Sequence, residues 1–339
     1  MTPLDPQDST PGHGQYASPV RVRRGGACCV PMTDPREKPD RAAIIGGVLA
    51  MVMFSGNFVS SRHGLGNGLG VADLVLLRYV VAGPLFLLLL LRIGMGGLAI
   101  WRGVVLALLG GAPYFLLTAL ALEFAPATHA AILNPGGTMV CAPLLGWLVL
   151  RERPGPGVRL GLPILGAGLL MIGGASLLEG GDRTWIGDLL LFWSGFNWAL
   201  YGVLMRRWRV SGLRTACIMG AFSLAWVPVH LAALGLGGIP ANAGEAAIQA
   251  SYQGLVAGGL GVILYSRAVA ALGPARGALL PPLVPALGTF WAWLILGEEV
   301  TPLQATGMVT VIAGMLVGAL WRRETRETIP RAARHSAET

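Results

Sequence analysis

Charge is scarce in this chain of 339 residues. Asp, Glu, Lys and Arg together make up 12% of it, whereas hydrophobic residues make up 54%. An ordinary soluble domain carries roughly 25% charged residues, so too few charges are present to cover a water-exposed globular surface. The apolar residues form continuous runs of about 20, the length that a helix needs to cross a hydrocarbon layer of ~30 Å. The composition therefore predicts an all-α membrane protein.

Motifs of soluble enzymes are also lacking. The sequence has no Gly-Lys-Ser/Thr phosphate loop, no His-Glu-x-x-His and no zinc-ligand spacing. Its four cysteines form no disulfide pattern, because Cys28 and Cys29 are adjacent in a polar tail while Cys141 and Cys217 lie in apolar runs. We therefore predict that the protein is not an enzyme and has no catalytic residues, no metal and no cofactor.

Acidic residues are missing from the middle of every apolar run. Asp73, Glu152, Asp188 and Glu298 all fall at run ends. A proton-coupled pump usually keeps a carboxylate at membrane depth, so this absence weakens the case for proton coupling through a buried acid. His129 also lies near a run end, where a surface position is expected.

Ten apolar runs are each long enough to span a membrane, and polar segments flank them. Residues 1–41 are predicted to be a disordered cytoplasmic tail without a signal peptide, starting at Met1 or at Met32. Residues 321–339 are predicted to be a second cytoplasmic tail. The predicted spans are Ala42–Ser60, Leu74–Leu91, Val104–Leu122, His129–Leu150, Val158–Leu178, Trp185–Met205, Thr215–Leu234, Tyr252–Leu272, Ala278–Leu296 and Pro302–Leu320.

One stretch of the sequence occurs twice, from Pro126 to Gly168 and from Pro274 to Gly314. Each copy opens on Pro-Ala and reaches Trp-Leu-x-Leu-x-Glu, whose glutamates are Glu152 and Glu298. From the glutamates onward the copies match at a spacing of 146, whereas the opening pairs match at 148, so one copy has lost two residues. The internal repeat predicts two five-span halves, residues 42–178 and 185–320, of which the second is inverted because five is odd.

Basic residues support this topology. With the N-terminus inside, 22 of the 25 Lys and Arg residues fall in the predicted cytoplasmic segments or near the cytoplasmic ends of spans, Arg62 and Arg183 fall in outer loops, and Arg78 lies within a span. Basic residues concentrate on the cytoplasmic side of membrane proteins. We therefore expect both termini in the cytoplasm and ascribe the net positive charge to orientation rather than to nucleic-acid binding.

Polar and aromatic residues inside the spans are the candidate substrate-binding groups. Prolines interrupt the fourth span of each half, and matched interruptions indicate a transport site, although they also shape packing. The most polar of these breaks is predicted at Asn134, with a free amide. An ion within a span is a functional candidate, although Arg78 can also snorkel to the interface. The asparagines can instead join helices, and the aromatics can anchor the interface. The candidates are Asn57, Arg78, Tyr114, Asn134, Asn197, Trp198, Tyr265 and Trp291.

The chain resembles the drug/metabolite transporter superfamily and, within it, the EamA-type transporters, over about residues 42–320. The resemblance rests on Phe54-Ser55-Gly56-Asn57-Phe58-Val59, on Leu77-Arg78-Tyr79, and on Pro285 followed by Gly297-Glu298. In the first half, Met139 and Arg151 replace the expected Pro and Gly. The resemblance implies a secondary carrier in the bacterial inner membrane, often an exporter of amino acids or other small metabolites, which works by alternating access around a central cavity.

Several readings stay open beside this one. The same superfamily contains carriers of drugs, cations and sugar phosphates. A lipid-modifying enzyme would need clustered His, Asp and Arg at a membrane face, and an intramembrane protease would need Ser55 or Ser194 opposite His230. A receptor or scaffold would normally add a soluble domain. The expected partners are a small-molecule substrate and the lipid bilayer, with a homodimer left open.

Overall fold

A computed structural model of the chain describes residues 41–178 and 183–321, and every regular element among them is helical. Apart from Arg41 and Trp321, the predicted tails, including Met32, Cys28 and Cys29, lie outside these residues. The helices are α1 (Arg41–Gly66), α2 (Val71–Ile93), α3 (Ile100–Gly110), α4 (Ala112–Phe124), α5 (Ala127–Leu150), α6 (Pro156–Leu178), α7 (Thr184–Arg207), α8 (Gly212–Ser223), α9 (Trp226–Leu234), α10 (Ala243–Gln249), α11 (Val262–Gly277), α12 (Leu283–Trp291) and α13 (Pro302–Leu320), with π-helical segments at Ala250–Gly261 and Ala292–Leu296.

Eight helical stretches in the described part of the chain are long and apolar enough to cross a membrane. They correspond to predicted spans 1–5, 7, 8 and 10. Predicted span 6 is α7, which has 24 residues but includes Asp188, Asn197 and two arginines, and it is not among the eight. Predicted span 9 contains Leu283–Leu296, which is apolar but short. At 1.5 Å per residue it is about 21 Å long.

Prolines act differently in the two copies of the repeat. The predicted break at Asn134 is wrong, because α5 is one continuous helix that contains Pro135 and Pro143. Close packing on α7 supports it: the Thr138 hydroxyl lies 3.0 Å from the Asn134 carbonyl oxygen and 3.1 Å from that of Gly195. The second copy is interrupted. Its helix starts at Leu283 and not at Ala278, after the adjacent prolines at 281 and 282, which supply no N–H to continue the hydrogen-bond ladder.

The eighth span begins much earlier than predicted. Helix starts at Ala243 rather than Tyr252 and passes through a π-helical segment to Gly261. The Asn242 carbonyl accepts the first backbone bond, from Ala246 at 2.9 Å. The early start was missed because polar Glu245 and Gln249 look like loop residues. Both turn toward polar atoms of α1 instead.

Repeated glycines hold the last helices of the two halves together. Helix α6 packs along α13. Gly161 and Gly168 of the first copy correspond to Gly307 and Gly314 of the second. They meet crosswise, Gly161 against Gly314 and Gly168 against Gly307. A side-chain carbon at Gly161 would meet the Gly314 carbonyl at 2.6 Å, and one at Gly168 would meet the Gly307 carbonyl at 2.8 Å. These glycines therefore allow two backbones to approach more closely than any larger residue permits.

Contacts between the halves group the helix ends into two sets. At one set, which we call the histidine end, His63 pairs with Glu245, His129 with Asp188 and His230 with Asp73. At the other, which we call the arginine end, Arg206 pairs with Glu152, Arg207 donates to the Val149 carbonyl, and Arg214 donates to the Gly94 carbonyl. Each of these contacts joins the first half to the second.

Candidate functional site

Arg78 lies among neutral polar groups. Its guanidinium donates to Asn57 Oδ1 at 2.9 Å and to Gln253 Oε1 at 3.2 Å, and it lies 4.6 Å from the centre of the Phe115 ring. Gly258 borders the guanidinium, since a side-chain carbon there would lie 3.6 Å from Arg78 Cζ, an ordinary contact distance. Within the described residues, no carboxylate pairs with Arg78. The half-buried guanidinium therefore has no carboxylate counter-ion within the described part of the chain.

A row of buried polar side chains, which we call the polar row, extends from the histidine end to Arg78. Glu245, Gln249 and Gln253 follow each other at four-residue spacing, and both glutamines are fully buried. Gln249 Nε2 donates to Glu245 Oε1 and to the Ser60 carbonyl, both at 2.7 Å. Gln253 Nε2 donates to Ser61 Oγ at 2.8 Å. In the sequence, the signal for the polar row was the four-residue spacing of Glu245, Gln249 and Gln253, which places them on one helix face.

Asn134 is the centre of a second cluster. Its amide nitrogen donates to Ser194 Oγ at 2.6 Å and to the Tyr114 hydroxyl at 3.1 Å. The prediction of a free amide at this position is therefore wrong. The Tyr114 ring lies 5.2 Å from that of Trp198, which stacks on Tyr201 at 4.9 Å. The cluster joins α4 and α5 of the first half to α7 of the second.

A break in the third span brings these two clusters together. The helix stops at Gly110 and resumes at Ala112, where Ser223 Oγ accepts the Ala112 N–H at 2.9 Å. The next turn carries adjacent Tyr114 and Phe115. Tyr114 contacts the Asn134 cluster, and Phe115 contacts Arg78. One turn of α4 therefore links both groups of predicted site residues.

The remaining predicted residues are less closely joined. Tyr265 packs edge-on against Phe54, one helical turn before Asn57, with 5.9 Å between ring centres. Trp291 packs on the same hydrophobic core, and its buried Nε1 has no hydrogen-bond partner among the described residues. Asn197 is half-buried and makes no side-chain hydrogen bond in the described part of the chain. Among the described residues, Asn197, Tyr265 and Trp291 therefore join neither the Arg78 cluster nor the Asn134 cluster.

His129 is not at the surface, as the sequence had suggested. It is 1% exposed. Its Nδ1 lies 2.8 Å from Asp188 Oδ1, and its Nε2 lies 3.0 Å from Gln304 Nε2. Asp73 falls in the first turn of α2 and Asp188 lies one turn into α7, but both are buried and each faces a histidine of the other half. No group of three His, Cys, Asp or Glu within the described residues could hold a metal ion.

A cavity of about 320 Å³ lies at the arginine end. Small and apolar residues of α5, α6 and α13 form most of its wall, and Glu152, Arg153 and Arg206 stand at its rim. None of the eight predicted site residues lines it. On α5, its wall begins at Met139, just beyond Thr138 and little more than one turn after Asn134, so the cavity approaches the Asn134 cluster from the arginine end.

The chain matches the model of the EamA-like transporter family twice, over residues 41–174 and 185–319. An uncharacterised Pseudomonas aeruginosa protein is 30% identical over 82% of this chain and 94% of its own length. An uncharacterized transporter of Archaeoglobus fulgidus is 31% identical over 46% of this chain and 54% of its own length. A crystal structure with 20% identity and a TM-score of 0.56 covers 84% of this chain and 99% of that one, and it shows the fold alone. The chain belongs to the EamA-like transporter family of the drug/metabolite transporter superfamily, and it is a multi-pass membrane protein with two copies of the family unit.

Proposed function

We propose that this protein is a secondary transporter of the bacterial inner membrane that exports small metabolites with a carboxylate group, such as amino acids or their derivatives. Transport proceeds by alternating access between two halves, residues 42–178 and 185–320. The substrate lies between the Arg78 and Asn134 clusters. The observation that carries the substrate class is the guanidinium of Arg78, which among the described residues contacts neutral oxygens and an aromatic ring and pairs with no carboxylate.

The ten-span, inverted architecture is part of this proposal. Adding α7 and Leu283–Leu296 to the eight long apolar stretches gives ten crossings. Contacts between the halves support inversion, because the fourth span of each half packs on the first span of the other. In the first half this helix is α5, which packs on α7, and in the second half it is α12, which packs on α1. With the arginine end in the cytoplasm, the basic residues obey the positive-inside rule.

Charge is the reason to favour an anionic group. An arginine within a membrane helix is costly, up to about 2.5–3.5 kcal/mol at the helix centre on insertion scales, and Arg78 is the eighth of the 23 residues of α2. A substrate carboxylate offsets part of that cost through a charge-assisted, often bidentate hydrogen bond with the guanidinium. A purely cationic drug would be repelled from the same place. The neighbouring amides of Asn57 and Gln253 supply further polar contacts, and Tyr114 and Trp198 supply an aromatic wall.

Uptake into proteoliposomes tests the proposal. The panel contains amino acids, other carboxylates, sugar phosphates and cationic drugs, each with and without an imposed pH gradient. Saturable uptake of carboxylates is expected, and Arg78→Gln should weaken apparent affinity about 10- to 100-fold, the loss of one charge-assisted hydrogen bond. Arg92→Gln is the matched control, because Arg92 is exposed on the same helix.

A sugar-phosphate carrier is the second candidate, because a phosphate also suits the Arg78 guanidinium. Uptake of sugar phosphates without uptake of carboxylates would select it. Uptake of cationic drugs that is unchanged by Arg78→Gln would contradict the site assignment.

Export is tested separately in cells, where deletion of the gene should raise the internal concentration of the transported metabolite.

A further inference from the structure

The two repeated glutamates occupy the same local structure. Each follows a residue in the left-handed conformation, Arg151 at φ 58° and ψ 25° and Gly297 at φ 66° and ψ 21°. The backbone N–H of each glutamate donates to the carbonyl six residues earlier, over 3.3 Å in both copies. Glu152 and Glu298 therefore emerge from equivalent helix ends, and any difference in their contacts comes from what faces them.

Glu298 binds the first turn of a helix in the other half. Its Oε1 accepts the Ala127 N–H at 2.8 Å, and its Oε2 accepts the Thr128 N–H at 2.9 Å. First-turn amides have no partner within their own helix, and the helix dipole favours a negative charge there. Gln304, six residues after Glu298, contacts the adjacent His129. Glu298 therefore joins the second half to the start of α5 at the histidine end.

Glu152 makes no equivalent contact among the described residues. It pairs with Arg206 at 2.9 Å in an exposed position, where 58% of its own side chain and 48% of that of Arg206 are accessible. The repeat spacing of 148 matches the Ala127-Thr128 amides with those of Ala275 and Arg276. That segment bends at Gly273, whose φ is 77°, and regular helix is interrupted after Gly277. Glu152 instead lines the cavity of the arginine end.

We infer that Glu298 and Glu152 are alternating gate residues. In the state described here, Glu298 caps α5 and the histidine end is closed, while Glu152 leaves the arginine end with a cavity. In the opposite state, Glu152 caps the segment that starts at Ala275 while Glu298 releases α5. Both are positioning residues that act on the helices and do not touch the substrate. This inference rests on the proposed alternating access but not on the identity of the substrate.

Thiol labelling at both ends tests the exchange without any substrate. In protein whose four native cysteines are replaced, Ala127→Cys reports on the histidine end and Ala142→Cys, which lines the cavity, reports on the arginine end. Glu298→Ala should raise the labelling rate at position 127 about tenfold or more and lower the rate at position 142. Glu298→Gln should do the same to a smaller degree, because one carbonyl oxygen can still accept a bond.

For Glu152→Ala we expect the labelling pattern opposite to that of Glu298→Ala. It should leave labelling at position 127 slow and at position 142 fast, because the arginine end loses the contact that closes it. Glu299→Ala is the matched control, since Glu299 is an exposed neighbour of Glu298. Equal labelling in the Glu298 and Glu299 variants would overturn the inference, and so would faster labelling at both ends, which indicates general loosening. Failure to transport carboxylates would leave these labelling results unaffected, so the two proposals fail separately.

Discussion

Single residues at helix ends hold backbone conformations that their side chains disfavour. Arg151 and Arg209 are the non-glycine residues with positive φ in the described part of the chain. At the position matching Arg151, the second copy of the repeat has Gly297, which adopts the same conformation without steric cost. Of the two matching helix ends, the one at Arg151 is therefore strained and the one at Gly297 is relaxed.

Replacing Arg151 by glycine should stabilise the protein. A left-handed non-glycine residue costs about 1–2 kcal/mol, and the extra chain entropy of glycine takes back about 0.5–1 kcal/mol. We expect a net gain of about 0.5–1 kcal/mol, measured by denaturant unfolding in detergent. Arg153→Gly is the control for lost charge, because Arg153 is exposed and lacks positive φ. A loss of stability in Arg151→Gly would contradict this reading of the helix end.

The two asparagines of the predicted site should differ in their contribution to stability. Asn134→Ala removes the bonds to Ser194 and Tyr114 in a buried cluster, so a loss of about 1–3 kcal/mol is expected. Asn197→Ala should cost less than about 0.5 kcal/mol, because Asn197 has no side-chain bond within the described residues. Thermal unfolding of the two variants measures the difference. Equal losses would show that Asn134 is not held by these bonds.

At the scale of elements, glycine determines which helices touch. In the π-helical segment, a side-chain carbon at Gly254 would meet Val81 at 2.6 Å, so glycine there allows α2 to carry Arg78 close to Gln253. The same device joins α6 to α13 through the repeated glycines. These contacts place the elements that hold the site.

Gly168→Ala should therefore destabilise the packing of α6 on α13. The added carbon would lie 2.7 Å from the Val311 nitrogen and 2.8 Å from the Gly307 carbonyl. Backbone atoms cannot rotate away, so a loss of about 1–3 kcal/mol is expected. Gly166→Ala on the same helix meets open space and should gain up to ~1 kcal/mol from helix propensity. Thermal unfolding of both variants in detergent distinguishes packing from propensity, and a stabilising Gly168→Ala would refute the close contact.

At the scale of the whole molecule, the proposed orientation can be tested directly. Asn67 is exposed at the histidine end, and Arg92 is exposed near the opposite end of α2. In intact cells, a membrane-impermeant thiol reagent should label Asn67→Cys but not Arg92→Cys, and both should react after the membrane is opened. Native cysteines are replaced in both variants. Labelling of Arg92→Cys in intact cells would reverse the assigned orientation.

Much of the architecture could be predicted because a membrane imposes it on the sequence. Continuous apolar runs predicted helices, and eight long apolar stretches are present. The residues carrying the resemblance identified the family, which the comparisons confirmed. Interruptions were harder to predict. The sequence alone could not show that Pro135 stays within a continuous helix, because packing against Gly195 of α7 decides it.

The sequence by itself determined the helical class, the internal repeat and the polar residues available for a site, because these depend on composition and local spacing. Only the tertiary structure decided which of those residues meet. In the folded protein Arg78 contacts Gln253, which lies 175 residues away, and His129 is buried against Asp188. The two repeated glutamates also have different partners, since Glu298 binds the α5 backbone and Glu152 pairs with Arg206. Such pairings depend on how the two halves pack against each other, and packing between distant segments leaves no periodic pattern in a single sequence.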